Sequence, residues 1–394
     1  MPDNYVTSRL HTSLGASQKA NMHDTDNSGG SMAFLKQLPG RAIWHMPFCF
    51  QVANALGSNY SLRCVVFHDI SNASSVFTKG LRITLAKRDF EERIRFLARH
   101  YQPVGLEEVF SASGSYRSRR PVLVTFDDVY ASVAHEAAPI CQKYGVPAVL
   151  FVNYAFLDNK DLALDNLICY VANTKGVAVV NSIARDVSRS TRLSLRSITD
   201  VIADFLPLLS LEARDVFYER LTDAACVEPS ALANEAGLYL SSSQLQALAS
   251  STFEIGNHTY SHIHGRQLRP QDFGYEIDKN KAALESIIGR PVRSYSVPYG
   301  FSADLPGGLV EHLRESGHRS VFLVEGRVNP RLADPYHLYR VSVQARNEAE
   351  FFSELEILPR LRSIRHAWLR RGARELRVGP TARLGDAEAG SRVS

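Results

Sequence analysis

The sequence predicts an α/β fold built on parallel strands, and two observations lead to this prediction. Short apolar runs alternate with amphipathic stretches, and several of these runs end abruptly in polar residues. Strand, helix and strand at this spacing are typical of parallel α/β architecture. In such folds the chemistry is found at the carboxyl ends of the strands, so the strand ends are where functional residues are expected.

The alternation begins with the β-branched run RCVVFHDI, and a helical pattern follows in which Phe90, Ile94 and Leu97 share one face. PVLVTFDD predicts a buried strand, the stretch that ends near Tyr144 a helix, and VPAVLFVN a second buried strand. Further along the chain the pattern predicts the strand FEIGNHT, a helix over Tyr275–Ile288, the strand VRSYSVPYG, a helix over Gly308–Ser316, and the strands RSVFLV and HLYRVSV.

The same pattern divides the chain into segments. Residues 1–40 are rich in Ser, Asn, Asp and Gly, which predicts disorder. Residues 60–350 form the predicted catalytic domain, and residues 155–250 within it predict a helical insertion. Residues 355–378 predict a basic amphipathic helix, and residues 379–394 a disordered tail.

Bulk composition excludes several classes of protein. A chain of 394 residues can bury a large core, and a net charge of +4 gives no indication of nucleic-acid binding, which we do not expect. The five cysteines include no CxxC pair, so we expect no zinc finger and no disulfide framework, and we expect each cysteine to be a small buried residue. The N-terminus lacks a secretory signal pattern, and we expect a cytoplasmic location.

Asp127 and Asp128 end the apolar strand PVLVTFDD. A carboxylate buried there is costly unless it is paired or binds a metal. The side chains of neighbouring residues diverge, so one carboxylate can bind a cation while the other accepts a proton from a water that the cation activates. The alternative is that one aspartate caps the next helix.

Histidines follow another of the predicted strands. His258 and His262 are four residues apart in HTYSH, a spacing that suits two metal ligands from one turn. HTYSH lacks the glutamate of the HExxH metalloprotease motif, so a general base has to come from elsewhere, and Asp127 or Asp128 can supply it. A third strand ends in the turn Val297–Gly300. The convergence of the three strand ends favours a metal site over a cap.

These segments occur in the order found in polysaccharide deacetylases (carbohydrate esterase family 4): TFDD at Thr125–Asp128, GNHTYSH at Gly256–His262 and VPYG at Val297–Gly300. The surrounding sequence, including YGVPAVLFV and EIDKNKAALESIIGRPVRSYSVPYG, also resembles that family. The resemblance extends over roughly residues 62–345.

The resemblance implies an incomplete, distorted (β/α) barrel with a divalent metal at its top, and zinc is the metal we expect. It implies that Asp128, His258 and His262 are the metal ligands and that Asp127 is the base. Metal-activated water would then attack an N-acetyl or O-acetyl carbonyl. Tyr299 would offer its backbone N–H to the oxyanion, a contact worth a few kcal/mol.

The chain departs from the family pattern in three places. Val129 replaces a glycine, and it would be strained if that position had a positive φ. The arginine expected before the PYG turn is Ser296 here, so we expect Arg340 to pair with Asp127 instead. No LxxH segment supplies the usual catalytic-acid histidine, and we name His337, with His264 as the other candidate, to replace it.

One more histidine follows a predicted strand. His68, in VVFHDI, either lines the site beside Asp69 or belongs to a supporting or capping pair, and both interpretations stay open.

The C-terminal segment Arg360–Arg377 is strongly basic, and Leu361, Ile364 and Trp368 fall on one helical face. Such a helix would suit peripheral contact with anionic lipid at the inner membrane. The alternative is a solvated helix whose apolar face packs on the domain.

Three functions follow from these observations. The first is a metal-dependent hydrolase that removes acetyl groups from a bacterial glycan or lipid-linked sugar. The second is an amide hydrolase for a small acylated amino sugar, and the third is a catalytically impaired glycan-binding barrel. A long open groove would favour the polymer, whereas a site capped by the insertion would favour the small substrate.

Overall fold

A computed structural model gives the structure of the protein. It describes residues 42–46, 49–51, 61–110, 120–188, 195–330, 333–345 and 347–364. The predicted disorder of residues 1–40 and of the tail after residue 378 therefore lies outside the described residues.

Parallel strands form the centre of the fold. The eleven strands of the described residues are β1 Arg63–Phe67, β2 Asp69–Ile70, β3 Thr84–Leu85, β4 Gln102–Pro103, β5 Pro121–Phe126, β6 Ala148–Val152, β7 Phe253–Asn257, β8 Ser294–Ser296, β9 Ser320–Leu323, β10 Leu338–Tyr339 and β11 Val341–Ser342. The main sheet has the order β10-β9-β8-β7-β6-β5-β1-β11, with β4 beside β5, and β2 pairs with β3 separately. All of its pairs are parallel.

The two edges of this sheet meet at Arg340. Strand β10 pairs with β9 at one edge and β11 pairs with β1 at the other, and Arg340 alone separates β10 from β11 in the chain. The predicted strand HLYRVSV is thus split in two, and its two halves bring the sheet edges together. The result is a nearly closed barrel with very short strands at its seam, and the predicted distorted (β/α) barrel is confirmed.

Side chains alternate between the inside and the outside of the barrel, as the period of a strand requires. Cys64, Leu123, Val149, Phe151 and Phe322 pack together in the interior. The intervening residues of the same strands face the surrounding helices and contribute to a larger outer core. Gly256 of β7 has no side chain because a Cβ there would collide with the Phe151 ring.

Helices surround the barrel, and those between β6 and β7 form the insertion. Outside the insertion they are α1 Lys87–His100, α2 Leu106–Phe110, α3 Ala138–Lys143, α10 Lys279–Ile288, α11 Leu309–Glu315 and α12 Glu348–Phe352. The insertion contains α4 Leu164–Thr174, α5 Val177–Val187, α6 Ile198–Asp200, α7 Leu211–Ala225, α8 Pro229–Ala236 and α9 Ser242–Ala249. Phe90, Ile94 and Leu97 are buried on one face of α1, as predicted.

The start of the predicted basic helix is tied to the amino end of the barrel. Arg360 is buried and its guanidinium pairs with Glu356, which Arg63 at the start of β1 also contacts. Leu361 and Ile364 are exposed. Arg360 is therefore an internal ion-pair partner, and the rest of the proposed membrane-contact segment, from residue 365, lies outside the described residues.

Two sequence-based expectations can be compared directly with the structure. Cys64, Cys141 and Cys169 are buried, but Cys226 is exposed and Cys49 half-buried, so the expectation of five buried cysteines was wrong for these two. None of the five forms a disulfide. Within the described part of the chain, no helix is both long enough and apolar enough to cross a membrane.

Candidate active site

Three loops at the carboxyl end of the barrel carry the predicted site residues. They follow β5, β7 and β8, and because these strands are parallel, their ends lie at the same edge of the sheet. One ligand atom each from Asp128, His258 and His262 lie within 4.8 Å of one another. The structure therefore brings together the three residues predicted to bind a metal.

His258 turns its Nε2 atom toward the aspartates. Its Nδ1 atom lies 2.8 Å from the Ser296 carbonyl oxygen, which can only accept a hydrogen bond. Nδ1 therefore carries the hydrogen, and Nε2 keeps its lone pair, 3.8 Å from Asp128 Oδ1. Burial is the main cause that lowers the pKa of His258 to about 4, so the ring is neutral at pH 7 and ready to act as a ligand.

His262 has the same orientation with a different partner. Its Nε2 atom lies 3.4 Å from Asp128 Oδ1, and its Nδ1 atom lies 3.3 Å from Asp165 Oδ2. Burial lowers the pKa of His262, but the nearby Asp128 and Asp165 outweigh burial, and the net pKa is raised. A cation at this point would compete with that proton for the same lone pair.

Arg340 is the partner of Asp127. The guanidinium donates two parallel bonds to the carboxylate, Nη1 to Oδ1 at 2.5 Å and Nη2 to Oδ2 at 2.7 Å. The same Nη2 also donates to Ser296 Oγ at 2.7 Å, so the small serine leaves room for an arginine that arrives from the barrel seam. Burial would raise the pKa of Asp127, but Arg340 and His258 outweigh it and hold this pKa well below its ordinary value.

Val129 occupies the glycine position without strain. Its φ is not positive; the positive φ belongs to the preceding residue, Asp128, at 65°. The Val129 side chain is fully buried in the outer core, and its carbonyl accepts a bond from the Leu240 N–H at 2.8 Å. The strain considered from the sequence is therefore absent, because the backbone turns one residue earlier than the glycine position.

Backbone strain is nevertheless concentrated in this site. Asp128, Thr259, His262 and Tyr299 all have φ between 54° and 65°, although none of them is glycine. Left-handed backbone at such residues costs about 1–3 kcal/mol each and persists only where the surroundings hold it. The strain indicates that the loops are held in a geometry that serves the site.

The Tyr299 ring packs between two histidines. It stacks on His264 with ring centroids 4.7 Å apart and lies 5.0 Å from the His262 ring. Its hydroxyl donates to Asp165, 2.8 Å from Oδ1 and 3.0 Å from Oδ2. Among the described residues, no acceptor takes the Tyr299 backbone N–H, which leaves this donor available to a ligand.

The candidates for the catalytic acid are placed very differently. His337 immediately precedes β10, whose first residue is in register with Phe322 of β9, and its ring pairs with Asp334 at 2.8 Å. The ring thus turns to Asp334 and not to the three proposed ligands, so the structure does not bring His337 to the site. His264 lies behind Tyr299, and its Nδ1 accepts the Arg266 N–H. Burial lowers the pKa of His264 to about 3.

His68 is better placed than either. It follows β1, directly beside β5, where Phe67 is in register with Phe126 and its carbonyl accepts the Asp127 N–H. Its charge contributes to lowering the pKa of Asp127, which places it near that carboxylate. Its neighbour Asp69 instead accepts bonds from Ser132 and Thr84 and is thus part of the supporting structure.

Sequence reasoning missed Asp165, which contacts both His262 and Tyr299. Asp165 lies in the first turn of α4, inside the insertion, and no motif marks it. A signal was present in the pattern, because the polar pair Asp165–Asn166 lies in the first turn of a helix whose middle is apolar, LDNLICYVANT.

The residues present fit a divalent metal. Asp128, His258 and His262 supply one carboxylate oxygen and two imidazole lone pairs, a donor set that suits zinc and other first-row divalent ions. Both rings have their Nδ1 atom engaged, by the Ser296 carbonyl and by Asp165, and this aims both Nε2 atoms at the same point. Asp128 and His262 remain partly exposed, which leaves an approach from solvent.

Comparison with known proteins shows which family this chain resembles. The model of the polysaccharide deacetylase family matches residues 217–319. The predicted resemblance to polysaccharide deacetylases is confirmed. The matched range includes His258, His262 and Tyr299, whereas Asp127 and Arg340 lie outside it. The family match also confirms the predicted class of enzyme, a polysaccharide deacetylase-like hydrolase of amide bonds.

The chain is similar to solved structures of deacetylases, one of which reaches a TM-score of 0.50. The Streptococcus pyogenes deacetylase PplD in complex with acetate is similar with a TM-score of 0.50 and 12% identity, over 75% of this chain and 98% of that chain. IcaB from Ammonifex degensii has a TM-score of 0.47 and 19% identity, over 75% and 97%. A polysaccharide deacetylase from Bacillus cereus has a TM-score of 0.46 and 14% identity, over 75% and 69%. No curated protein matches the chain significantly.

Proposed function

We propose that this protein is a metal-dependent hydrolase that removes N-acetyl, or O-acetyl, groups from a glycan or a lipid-linked sugar. The observation that carries the proposal is the pairing of two features at one barrel end. Asp128, His258 and His262 converge on one point, and the Arg340-paired carboxylate of Asp127 lies 3.8 Å from His258 Nε2. The family match supports the deacetylase chemistry.

A divalent metal in this donor set, which we propose to be zinc, would activate water and polarise the acetyl carbonyl. Asp127 accepts the proton of the attacking water. Its lowered pKa makes it a weaker base but keeps it ionised across the neutral range, and the two bonds from Arg340 fix its orientation. His258 and His262 would hold the ion through their Nε2 lone pairs, whose direction is set by the partners of their Nδ1 atoms.

Tyr299 and His68 complete the proposed machinery. The free backbone N–H of Tyr299 would stabilise the oxyanion that forms as the carbonyl is attacked. His68 would donate a proton to the departing amine, because it is partly exposed at the strand end beside Asp127. His337 has no part in this mechanism, since its ring pairs with Asp334 and contacts none of the described site residues.

Two of the three departures that suggested an impaired barrel are compensated in the structure. Arg340 replaces the arginine that is missing before the PYG turn. Val129 has no unfavourable backbone. The third departure is the missing catalytic-acid histidine, and we propose that His68 replaces it. We therefore favour an active enzyme over a glycan-binding barrel.

A small acylated amino sugar is the second candidate substrate. One observation favours it: the insertion reaches the site directly, with Asp165 touching His262 and with Arg214 of α7 donating to the Ser261 carbonyl at 2.8 Å. An insertion held this close restricts the space for a long chain. Contact of Arg360–Arg377 with a membrane and a cytoplasmic location both stay predictions.

The test is acetate release from a panel of N-acetylated and O-acetylated substrates, from chitooligosaccharides to single N-acetylhexosamines. The wild type is compared with Asp127→Asn and His258→Ala after loading with zinc. We expect both variants to release acetate at least about 100-fold more slowly than the wild type. Near-wild-type release by Asp127→Asn would refute the proposed base, and near-wild-type release by His258→Ala would refute the metal site.

A further inference from the structure

The first turn of insertion helix α4 contacts all three loops that carry the site, two through Asp165 and one through Asn166. Asp165 accepts the Tyr299 hydroxyl in two bonds and lies 3.3 Å from His262 Nδ1. One carboxylate of the insertion thus contacts a proposed metal ligand and the residue whose backbone N–H is the proposed oxyanion donor.

The next residue, Asn166, holds the loop after β5. Its side chain is buried and donates to the Tyr130 hydroxyl at 2.8 Å and to the Phe77 carbonyl at 2.9 Å. The Tyr239 hydroxyl donates to Asn166 Oδ1 at 2.6 Å. Tyr130 is two residues after Asp128, so this buried network restrains the chain just beyond the carboxylate ligand.

The segment between α8 and α9 of the insertion holds the same loop through its backbone. The Leu240 N–H donates to the Val129 carbonyl at 2.8 Å, and the Ala131 N–H donates to the Leu238 carbonyl at 3.0 Å. The insertion therefore contacts the site at two places: its first helix reaches His262 and Tyr299, and the segment between α8 and α9 pairs with the residues after Asp128.

We propose that the insertion positions the metal site and that Asp165 is its positioning residue. The inference rests on the proposed function, because it assumes that His262 binds a metal. An acceptor at Nδ1 fixes the tautomer of a metal-binding histidine and makes its Nε2 atom a stronger ligand. Asp165 also restrains Tyr299 and His262, whose φ angles of 62° and 54° need such support.

The bonds to Tyr299 give Asp165 a second role. The Tyr299 hydroxyl and the His262 ring share the same carboxylate, and the Tyr299 ring lies against His262. Movement of the carboxylate would therefore displace a metal ligand and the proposed oxyanion donor together. Asp165 should thus influence both metal affinity and turnover, although it touches neither the metal nor the acetyl group.

The experiment measures the affinity of chelator-treated full-length protein for Zn²⁺ and Co²⁺ in the wild type, Asp165→Ala and Asp165→Asn. We expect Asp165→Ala to weaken metal binding by about 10- to 100-fold. Asp165→Asn keeps the shape and one acceptor but loses the charge, so we expect a smaller loss, about threefold to tenfold. The Co²⁺ absorption spectrum should shift in both variants, which a purely structural role would not require.

Asp161→Asn is the matched control. Asp161 is another carboxylate of the insertion, and it accepts the Tyr218 hydroxyl at 2.6 Å and the Leu162 N–H at 2.8 Å, away from the metal cluster. Its variant should bind metal like the wild type. If Asp165→Ala does not fold, the test rests on Asp165→Asn. Wild-type metal affinity together with an unchanged Co²⁺ spectrum in the folded Asp165 variants would overturn the inference.

His258→Ala separates the two levels of the argument. Loss of metal binding in this variant supports the proposed metal site independently of Asp165. If the wild type binds no stoichiometric metal, or if His258→Ala binds it equally well, the proposed function fails, and the role of Asp165 fails with it. If only the Asp165 variants behave like the wild type, the metal site stands and the positioning role is refuted.

Discussion

The two ends of the barrel each bury an arginine–carboxylate pair, and the two pairs differ in what surrounds them. At the amino end, Arg63 donates to both oxygens of Glu356 at 2.9 Å, and Tyr101 and Arg360 donate to the same carboxylate. At the carboxyl end, Arg340 holds both oxygens of Asp127, Ser296 Oγ lies 3.3 Å from Oδ2, and His258 Nε2 lies 3.8 Å from the same oxygen. The first carboxylate is saturated, whereas the second still faces an open cluster.

The comparison shows that the same kind of buried ion pair serves stability at one end of the barrel and the candidate site at the other. Burial raises the pKa of Glu356, but Arg63 and Arg360 outweigh it and lower the net pKa, so the group stays charged as an internal clamp. Arg340 keeps Asp127 charged in the same way, but this carboxylate lies beside the histidine lone pairs and the strained loops of the site. Active sites lie at the carboxyl ends of barrel strands, and residues at the amino ends serve stability. The predictions below test this division.

The largest effect is expected at the amino end. Arg63→Met leaves the buried Glu356 with fewer partners, and breaking a buried pair costs about 3–5 kcal/mol. The free energy of unfolding, measured in urea, should fall by this amount, while metal affinity and turnover per folded molecule stay unchanged. Reduced turnover in the fully folded variant would show that the two ends are not independent.

The second effect is expected in activity. Arg340→Lys keeps the charge but loses the two parallel bonds to Asp127, so the carboxylate loses its fixed orientation. We expect kcat for acetate release to fall by about 100-fold, equivalent to about 2.7 kcal/mol. Metal affinity should change little, because Arg340 contacts none of the three proposed ligands. An unchanged kcat would refute Asp127 as an oriented base.

Val129→Gly tests the departure from the family glycine. The structure shows no positive φ at this position, so glycine relieves no strain and removes a fully buried side chain. We expect the free energy of unfolding to fall by about 2–3 kcal/mol, because buried apolar surface is lost and the unfolded chain gains entropy. We expect no gain in kcat. A variant as stable as the wild type, or a more active one, would contradict this account.

At neutral pH the smallest effect is expected at His318, and this effect grows only as the pH falls. Burial, then the nearby Lys281, lowers the pKa of His318 to about 3. Below about pH 6.5 the unfolded chain binds a proton here that the folded chain does not, so His318 makes stability fall as pH drops from about 6.5 toward 3, by about 1.4 kcal/mol per unit. His318→Asn should flatten the pH profile of urea unfolding by this slope. Parallel profiles would refute the buried neutral histidine.

The sequence allowed much of the fold to be predicted, because buried strands and amphipathic helices are local patterns. FEIGNHT and RSVFLV are β7 and β9, and the helix predicted over Gly308–Ser316 is α11 at Leu309–Glu315. The sequence also predicted that Arg340 would serve Asp127, and the structure shows that pair. Strand pairing across the seam was not predictable, since β10 and β11 are two residues each.

The candidate site was likewise predictable from the sequence only in part. Asp127, Asp128, His258 and His262 were found because each follows an apolar run, and parallel strands bring such ends together whatever the loops do. The neighbourhood of His337 in the sequence, HLYRV, gave no sign that its ring would pair with Asp334 instead of joining the site.

By itself the sequence determined the α/β alternation, the convergence of the metal-site residues and the resemblance to deacetylases, because each of these depends on local patterns or on order along the chain. Only the tertiary structure decided that Val129 is unstrained, that His68 stands beside Asp127, and that Asp165 joins the site from the insertion. These contacts depend on side-chain direction and on long-range packing, and neither leaves a periodic trace in the sequence.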